Sequence, residues 1–526
     1  MATPIQCQIR RVIKDIRDLK FFYNIPGSPT RYNKLSKFFD SELEALSSKP
    51  FDSYSPEERV DYILLHRFLK KEKLERDRAH EVEFAPFIEP FAEPIIRWCE
   101  SRQQTNEVVD PQTLAGELLR TYNIVLGCID DVVAHSNKYS QAMGCRAAQH
   151  ITYLCGCLNK MCSFYSGYLP AFEYWVTQPL ESLNAALEKL KEQVCGKIIK
   201  EEENTIIGTP IGRDQLLIEL KAEMIPYEPR QLLKIAWDEY AWCESQIKTA
   251  AAELGYAKWP NALEHVKNRH KSPHMHPSFV RSLVTEGAAY VKKHDLVTVP
   301  SLLEETLVIA RIPLAKQHVQ PFLRSGDDLG FASPHADMEH AAKLTTLRSN
   351  NEHFLRAEKD RSRSHRAELC TTSFYIEGWA TYWEMVFWDR GDFFITPEDK
   401  VGTLFFRMYR CIRIIASLSF HLGKMSPEEW VELLVKRFGY AISPPLYPAG
   451  YMLGALQLMQ LRREAVEADG ARFTEKEFHD RVLKENVMPI AMLRALLLEK
   501  ELPEDFESTW MFCGDVVVRE DEAADP

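Results

Sequence analysis

The run Leu180-Glu-Ser-Leu-Asn-Ala-Ala-Leu-Glu-Lys-Leu-Lys-Glu-Gln-Val-Cys-Gly-Lys-Ile198 places Leu180, Leu183, Leu187, Leu190, Val194 and Ile198 at steps of 3, 4, 3, 4 and 4. At about 100° per residue these side chains fall on one stripe, while the intervening Glu and Lys cover the opposite side. The spacing predicts an amphipathic helix, and the same period recurs almost everywhere in the chain. Strand-like writing is confined to Leu296-Val-Thr-Val299 before Pro300 and Thr306-Leu-Val-Ile-Ala-Arg-Ile312 before Pro313. The expected fold class is therefore mainly α with a small β-sheet. No repeat of fixed period suggests a helical solenoid.

Size and charge narrow the possibilities further. With 526 residues, 45% hydrophobic, 27% charged and only 22 Gly, the chain has enough apolar material for a large core. No Ser/Gly- or Pro-rich linker interrupts it, so one continuous two-lobed body around a central cleft is expected: a helical lobe over 1–204 and a second lobe over 205–526 holding the suggestive clusters. The net charge is -11, residues 519–526 form an acidic tail, and no basic cluster exceeds Arg361-Ser-Arg-Ser-His-Arg366. That argues against nucleic acid and anionic membrane as partners and leaves a small-molecule or peptide-like substrate. The N-terminus lacks an apolar leader, and nowhere do eighteen apolar residues run uninterrupted, so a cytoplasmic location with no membrane contact is expected. The 12 cysteines are scattered, and Cys155-Gly-Cys157 with Cys162 lacks a second pair at zinc spacing, which predicts reduced thiols without chemistry.

Three clusters could carry chemistry. Thr372-Ser-Phe-Tyr-Ile-Glu-Gly-Trp-Ala-Thr-Tyr-Trp-Glu384 sets the carboxylate of Glu377 among aromatics, with Tyr375, Trp379 and Tyr382 on one stripe and Glu377, Thr381 and Glu384 on another. A carboxylate so embedded costs several kcal/mol unless paired, protonated or metal-bound. A structural glutamate held by an arginine is the plain alternative. In Arg410-Cys-Ile-Arg-Ile-Ile-Ala-Ser-Leu-Ser-Phe-His-Leu422, Arg410, Arg413, Ser417 and His421 form one polar row down an apolar helix. Guanidinium forks suit a carboxylate and His421 suits proton transfer near neutral pH, unless the arginines simply hold Glu377 or Glu384. Finally, Ser443-Pro-Pro-Leu-Tyr-Pro-Ala-Gly450 leads into a helix with Tyr451 near its start, where a phenol could donate to a developing oxyanion or merely pack.

Together with Phe478-His-Asp-Arg-Val-Leu483, Pro489 and Leu493, these clusters resemble the family labelled domain of unknown function 885, over a span expected to run from Val60 through Leu493. The resemblance implies a largely helical, gluzincin-like metallopeptidase scaffold with a zinc site formed by a His-Glu-x-x-Pro-Gly-His segment and the Glu of the Glu-Gly-Trp block. Arg410, Arg413, His421, Tyr451, Gly454 and Arg462 match the family's later helices. The zinc motif, however, is not written in this chain. With Leu347-Arg-Ser-Asn-Asn351 aligned to the segment before it, Arg361 stands for the first ligand, Ser362 for the general base and His365 for the second ligand, while Ser417 replaces the long helix's Asp. A relocated site among His335, Asp337, Glu339, His340 and His353 is the other option.

The resulting expectation is a metal-independent enzyme, without cofactor, that moves protons on an amino-acid- or peptide-derived carboxylated molecule in a cyclisation, elimination or isomerisation. Glu377 and His421 would exchange protons and Tyr451 would donate to the oxyanion. Arg361, His365, Arg410, Arg413, Trp379 and Tyr382 would bind the substrate. The alternatives are a zinc hydrolase with a rearranged site and a catalytically silent ligand-binding protein.

Overall fold

The computed structural model describes residues 3–25, 27–81, 85–101, 109–200, 210–269, 275–299, 364–370, 372–426, 429 and 446–518. The expectations placed on Thr306–Ile312, on His335, Asp337, Glu339, His340 and His353, on 347–351, on Arg361 and Ser362, and on the acidic tail lie outside them. In chain order the α-helices are α1 (Pro4–Phe22), α2 (Pro29–Ser47), α3 (Pro56–Glu81), α4 (Glu89–Ser101), α5 (Pro111–His135), α6 (Gln141–Ser166), α7 (Pro170–Gln193), α8 (Gly212–Ala222) and α9 (Pro229–Glu253). They continue as α10 (Trp259–Lys267), α11 (His276–Lys293), α12 (Ser364–Leu369), α13 (Ser373–Arg390), α14 (Pro397–His421), α15 (Tyr447–Asp469), α16 (Glu475–Glu485) and α17 (Ile490–Leu497). The protein is thus mainly α, and among the described residues there is no strand.

The expected strand over Leu296–Val299 is a loop whose polar groups are claimed by α16 rather than by a second strand. His479 Nδ1 donates to the Leu296 carbonyl at 2.6 Å, and Thr298 donates through its backbone N and Oγ1 to the Asp480 carboxylate at 2.9 and 2.5 Å. With those groups satisfied by side chains, no ladder is needed.

Two compact units are present: Met1–Ile9, Pro50–Leu65 and Pro210–Pro526 in one, and Arg10–Lys49 and His66–Thr209 in the other. In the second unit α7 packs on α5 and α6. The leucine stripe behaves as its spacing dictates, with Leu183, Leu187, Leu190, Val194 and Ile198 all buried against Val125, Ile129, Leu154 and Leu158. Its last two members lie in a π-turn, Val194–Ile199, that closes on left-handed Lys200. Side chains start the neighbouring helices: Asp110 accepts from the Thr113 N–H at 2.8 Å and Ser140 from the Met143 N–H at 3.2 Å.

The first unit positions the candidate site. Thr396 and Asp399 cap α14 reciprocally with Pro397 at its first turn, and α14 then runs buried along most of its length against α9 and α15. Helix α13 is buried on nearly every side and ends at left-handed Gly391. It packs most extensively on α15 through glycines. A Cβ on Gly454 would stand 2.0 Å from the Phe374 carbonyl oxygen, one on Gly450 2.2 Å from Ser373 Oγ, and one on Gly378 2.7 Å from the Gly454 Cα. The contacts rise together in number along both helices, so the two run parallel with their backbones touching.

Candidate functional site

Along α13, Glu377 and Glu384 are seven residues apart and so only about 20° apart in projection, whereas Tyr375, Trp379 and Tyr382 lie about 140–160° away from Glu377. The helix therefore has an acidic face and an aromatic face, and the structure uses them differently. On the acidic face, the Tyr447 hydroxyl donates to Glu377 Oε1, and Tyr447 and Tyr451 bring their hydroxyls to 3.5 Å, one turn apart on α15. Glu377 is 3% exposed. Arg413 of α14 sets its guanidinium 4.7 Å from the centre of the Tyr451 ring and 5.6 Å from that of Tyr409. Glu377, Tyr447, Tyr451 and Arg413 thus form one buried cluster of a carboxylate, two phenols and a cation, made possible by the glycine contact that brings α15 against α13.

Arg410 is differently engaged. Its two terminal nitrogens grip both oxygens of Glu384 at 2.5 and 2.6 Å, a bidentate pair that is mostly buried. Here the structural ion pair, one of the two readings open in the sequence, is the one seen. His421 ends α14, two turns beyond Arg413 and about 12 Å along the axis. Burial pulls its pKa below the usual histidine value, and its Nδ1 has no hydrogen-bond partner among the described residues.

The aromatic face packs on α16. The Tyr375 hydroxyl donates to the Val482 carbonyl at 3.0 Å, and the Tyr382 hydroxyl meets His479 Nε2 at 2.7 Å. Since Nδ1 must donate to the Leu296 carbonyl, Nε2 accepts from Tyr382, which fixes the neutral tautomer. Burial pushes the His479 pKa down to about 4, the carbonyl only partly opposing it. Trp379, stacked on Tyr382 at 5.6 Å, belongs to the same core. Trp379 and Tyr382 therefore line this core rather than the Glu377 cluster, because helical geometry turns them away from it.

His365 lies in a third place. Its Nε2 is 2.9 Å from Asp61 Oδ2, both side chains having no exposure. Arg366 donates to Asp61 Oδ1 at 2.6 Å, to the Glu485 carboxylate at 2.8 Å and carbonyl at 3.0 Å, and to the Glu57 carbonyl at 3.3 Å. Burial would raise the Asp61 pKa, but the His365 ring and the Arg366 charge outweigh it and hold the carboxyl below its usual range. Of the family-matched residues, Arg462 pairs with Glu475, its Nε donating at 2.9 Å.

Tyr447, Arg366 and His479 are not among the site residues that the sequence predicts. Tyr447 was findable: it sits four residues before Tyr451, and Pro448 fits the first turn of a helix as readily as a loop. The partnership of Asp61 with Arg366 spans 305 positions and leaves no local signal.

A zinc ion, which the resemblance implies, does not fit the described donors. Among the described residues no three His, Cys, Asp or Glu gather as a metal group, Glu377 Oε1 accepts a phenol proton, and His365 faces Asp61.

No curated protein matches the chain. A solved structure described as a "putative lipoprotein of unknown function from Shewanella oneidensis" superposes with a TM-score of 0.68 at 15% identity, covering 94% of this chain and 100% of its own. A second, described as a "putative lipoprotein from Colwellia psychrerythraea", gives a TM-score of 0.60 at 16% identity and covers 94% and 98%. At these identities the likeness shows the fold. The family model described as "Bacterial protein of unknown function (DUF885)" matches residues 353–497, a narrower span than the expected Val60–Leu493. Over the stretch that contains Glu377, Arg413, Tyr447 and Tyr451, the chain is thus similar to DUF885.

Proposed function

We propose that the Glu377 cluster is the acid–base centre of a metal-independent enzyme acting on an amino-acid- or peptide-derived carboxylated small molecule, by cyclisation, elimination or isomerisation. The observation that carries this reading is the Tyr447 hydroxyl on the buried Glu377 carboxylate, continued by Tyr451 beside the Arg413 guanidinium. Arg413 supplies the fork for a substrate carboxylate. Glu377 takes and returns the proton, Tyr447 orients it, and Tyr451 donates to oxygen that gains charge. His421, neutral near pH 7 because burial disfavours its cation, is a second proton acceptor. Arg410 is reassigned from substrate binding to holding Glu384.

The test is a thermal-shift screen of dipeptides and N-acyl amino acids, followed by mass spectrometry of incubated hits. Carboxylated ligands are expected to stabilise both the wild type and Glu377→Gln but not Arg413→Met, and turnover is expected in the wild type alone. Wild-type turnover by both Glu377→Gln and His421→Ala would remove the assignment. About one zinc per chain by plasma mass spectrometry, with activity lost on chelation, would favour the zinc hydrolase instead.

Location follows a separate line. Two of the solved structures similar to this chain are described as a "putative lipoprotein", which favours attachment to a membrane over the cytoplasmic expectation. Among the described residues no helix is long and apolar enough to cross one.

A further inference from the structure

The turn between α6 and α7 departs from the rest of the surface. From Met161 to Leu180 the chain carries one charged residue, Glu173, and six aromatic ones, although 27% of the whole chain is charged. Helix α6 ends at Ser166 and α7 begins at Pro170, so Gly167, Tyr168 and Leu169 form the tip of a helical hairpin. Its side chains point outward: Tyr168 is 73% exposed, Tyr174 81%, Phe164 45%, Trp175 42% and Leu169 38%. They are held on a firm base, for Phe172 and Val176 are buried and Tyr165 stacks on Phe172 with ring centres 5.3 Å apart. Phe164 and Tyr168 approach to 5.1 Å and Tyr174 and Trp175 to 5.3 Å. Trp175 lies five residues into α7, about 8 Å from its start, so the exposed rings stay near one end of the hairpin.

We propose that this tip docks in the interface of a zwitterionic lipid bilayer, the rings entering the boundary between headgroups and acyl chains. Tyr and Trp, each with an apolar body and a polar edge, suit that depth, and penetration of about 5–10 Å matches the height of the exposed set. The lack of Lys and Arg at the tip and the net charge of -11 select neutral over anionic lipid. The net charge argues against attraction to anionic lipid and the lack of a long apolar run against a spanning helix, but neither bears on docking by an apolar tip. A second copy of the chain is disfavoured by area: these five side chains, 38% to 81% exposed, offer on the order of 600 Å², short of the roughly 800 Å² per partner of a stable interface.

The experiment is sedimentation of the full chain with phosphatidylcholine vesicles, beside Tyr168→Ser/Tyr174→Ser, in which two highly exposed rings are removed without touching the core, and Trp237→Ser, a control at an exposed tryptophan of the other unit. The wild type and the control are expected to pellet with vesicles, the double variant at least tenfold less. Brominated phosphatidylcholine should quench wild-type fluorescence and lose most of that effect in Trp175→Phe. A wild type that stays in the supernatant, or a double variant that pellets equally, overturns the proposal. So does a wild-type dimer that the double variant abolishes without vesicle binding, which assigns the patch to a second copy.

Discussion

The contact of α7 with α5 and α6 and the contact of α13 with α15 join helices in opposite ways. The first interleaves leucines, isoleucines and valines, so its tightness is set by side chains that can shift rotamer. The second presses backbone on backbone at Gly378, Gly450 and Gly454, and just beside that contact lie a carboxylate, two phenols and a guanidinium. A leucine interface tolerates adjustment. A glycine interface fixes the separation of two helices to a fraction of an ångström, which a site needing a phenol on a carboxylate requires.

The largest expected effect separates the two by polarity. Arg410→Met leaves the buried Glu384 carboxylate without its bidentate partner and should cost about 4 kcal/mol in urea unfolding. Arg410→Met/Glu384→Leu should return to within about 1 kcal/mol of wild type. A cost for the single variant no greater than the ~0.5 kcal/mol of an exposed pair would show that this region is not the charged interior described.

Next is steric freedom. Gly454→Ala drives its Cβ into the Phe374 carbonyl and should cost about 3 kcal/mol, since only helix separation relieves it. Gly144→Ala, in the other unit, meets side chain rather than backbone, 2.8 Å from Ile198 Cγ2 and 3.0 Å from Ile199 Cγ1, and gains helix propensity, so its net cost should stay at about 1 kcal/mol, well below that of Gly454→Ala. Equal melting shifts for the two would erase the distinction.

The smallest effect concerns protons. His479 has a folded pKa near 4, against an ordinary value of 6.5. Its folded pKa is depressed, so its contribution is present above pH 6.5 and is lost as pH falls toward 4. The loss at pH 5 is about 2 kcal/mol, read as the difference in urea midpoint between pH 7.5 and pH 5. His479→Asn should be less stable at pH 7.5 yet show less of this pH dependence, and an unchanged dependence would place the acid-sensitive group elsewhere.

This comparison also explains how much the sequence disclosed. The leucine stripe was fully legible because an amphipathic helix writes its own orientation. Helix α13 was legible as a special segment, but its apolar residues go all round, so period alone could not say which face meets which neighbour. Period alone therefore offers Trp379 and Tyr382 to a substrate, whereas in the structure they pack on His479. Arg413 and Tyr451 stand out in the sequence as polar groups on apolar helices, and the structure brings them together. Arg410 was found too, in the other of its two readings. Tyr447 was hidden by a proline that suggested a loop, and Asp61 by sheer distance in sequence.

That distance has a consequence for how the chain is made. Asp61 finishes synthesis 305 residues before the arginine that neutralises it. At roughly 5–20 residues per second the interval is about 15–60 s, during which an acid destined for a dry interior has no permanent counter-charge. Residues 66–209 can begin collapsing on their own leucines in that time, but the unit holding Asp61 must wait for Arg366 and Glu485 to leave the ribosome. A translational pause or truncation downstream of residue 210 would therefore strand the first unit with a charged, half-built core, exposing it to proteolysis while the second stays protected.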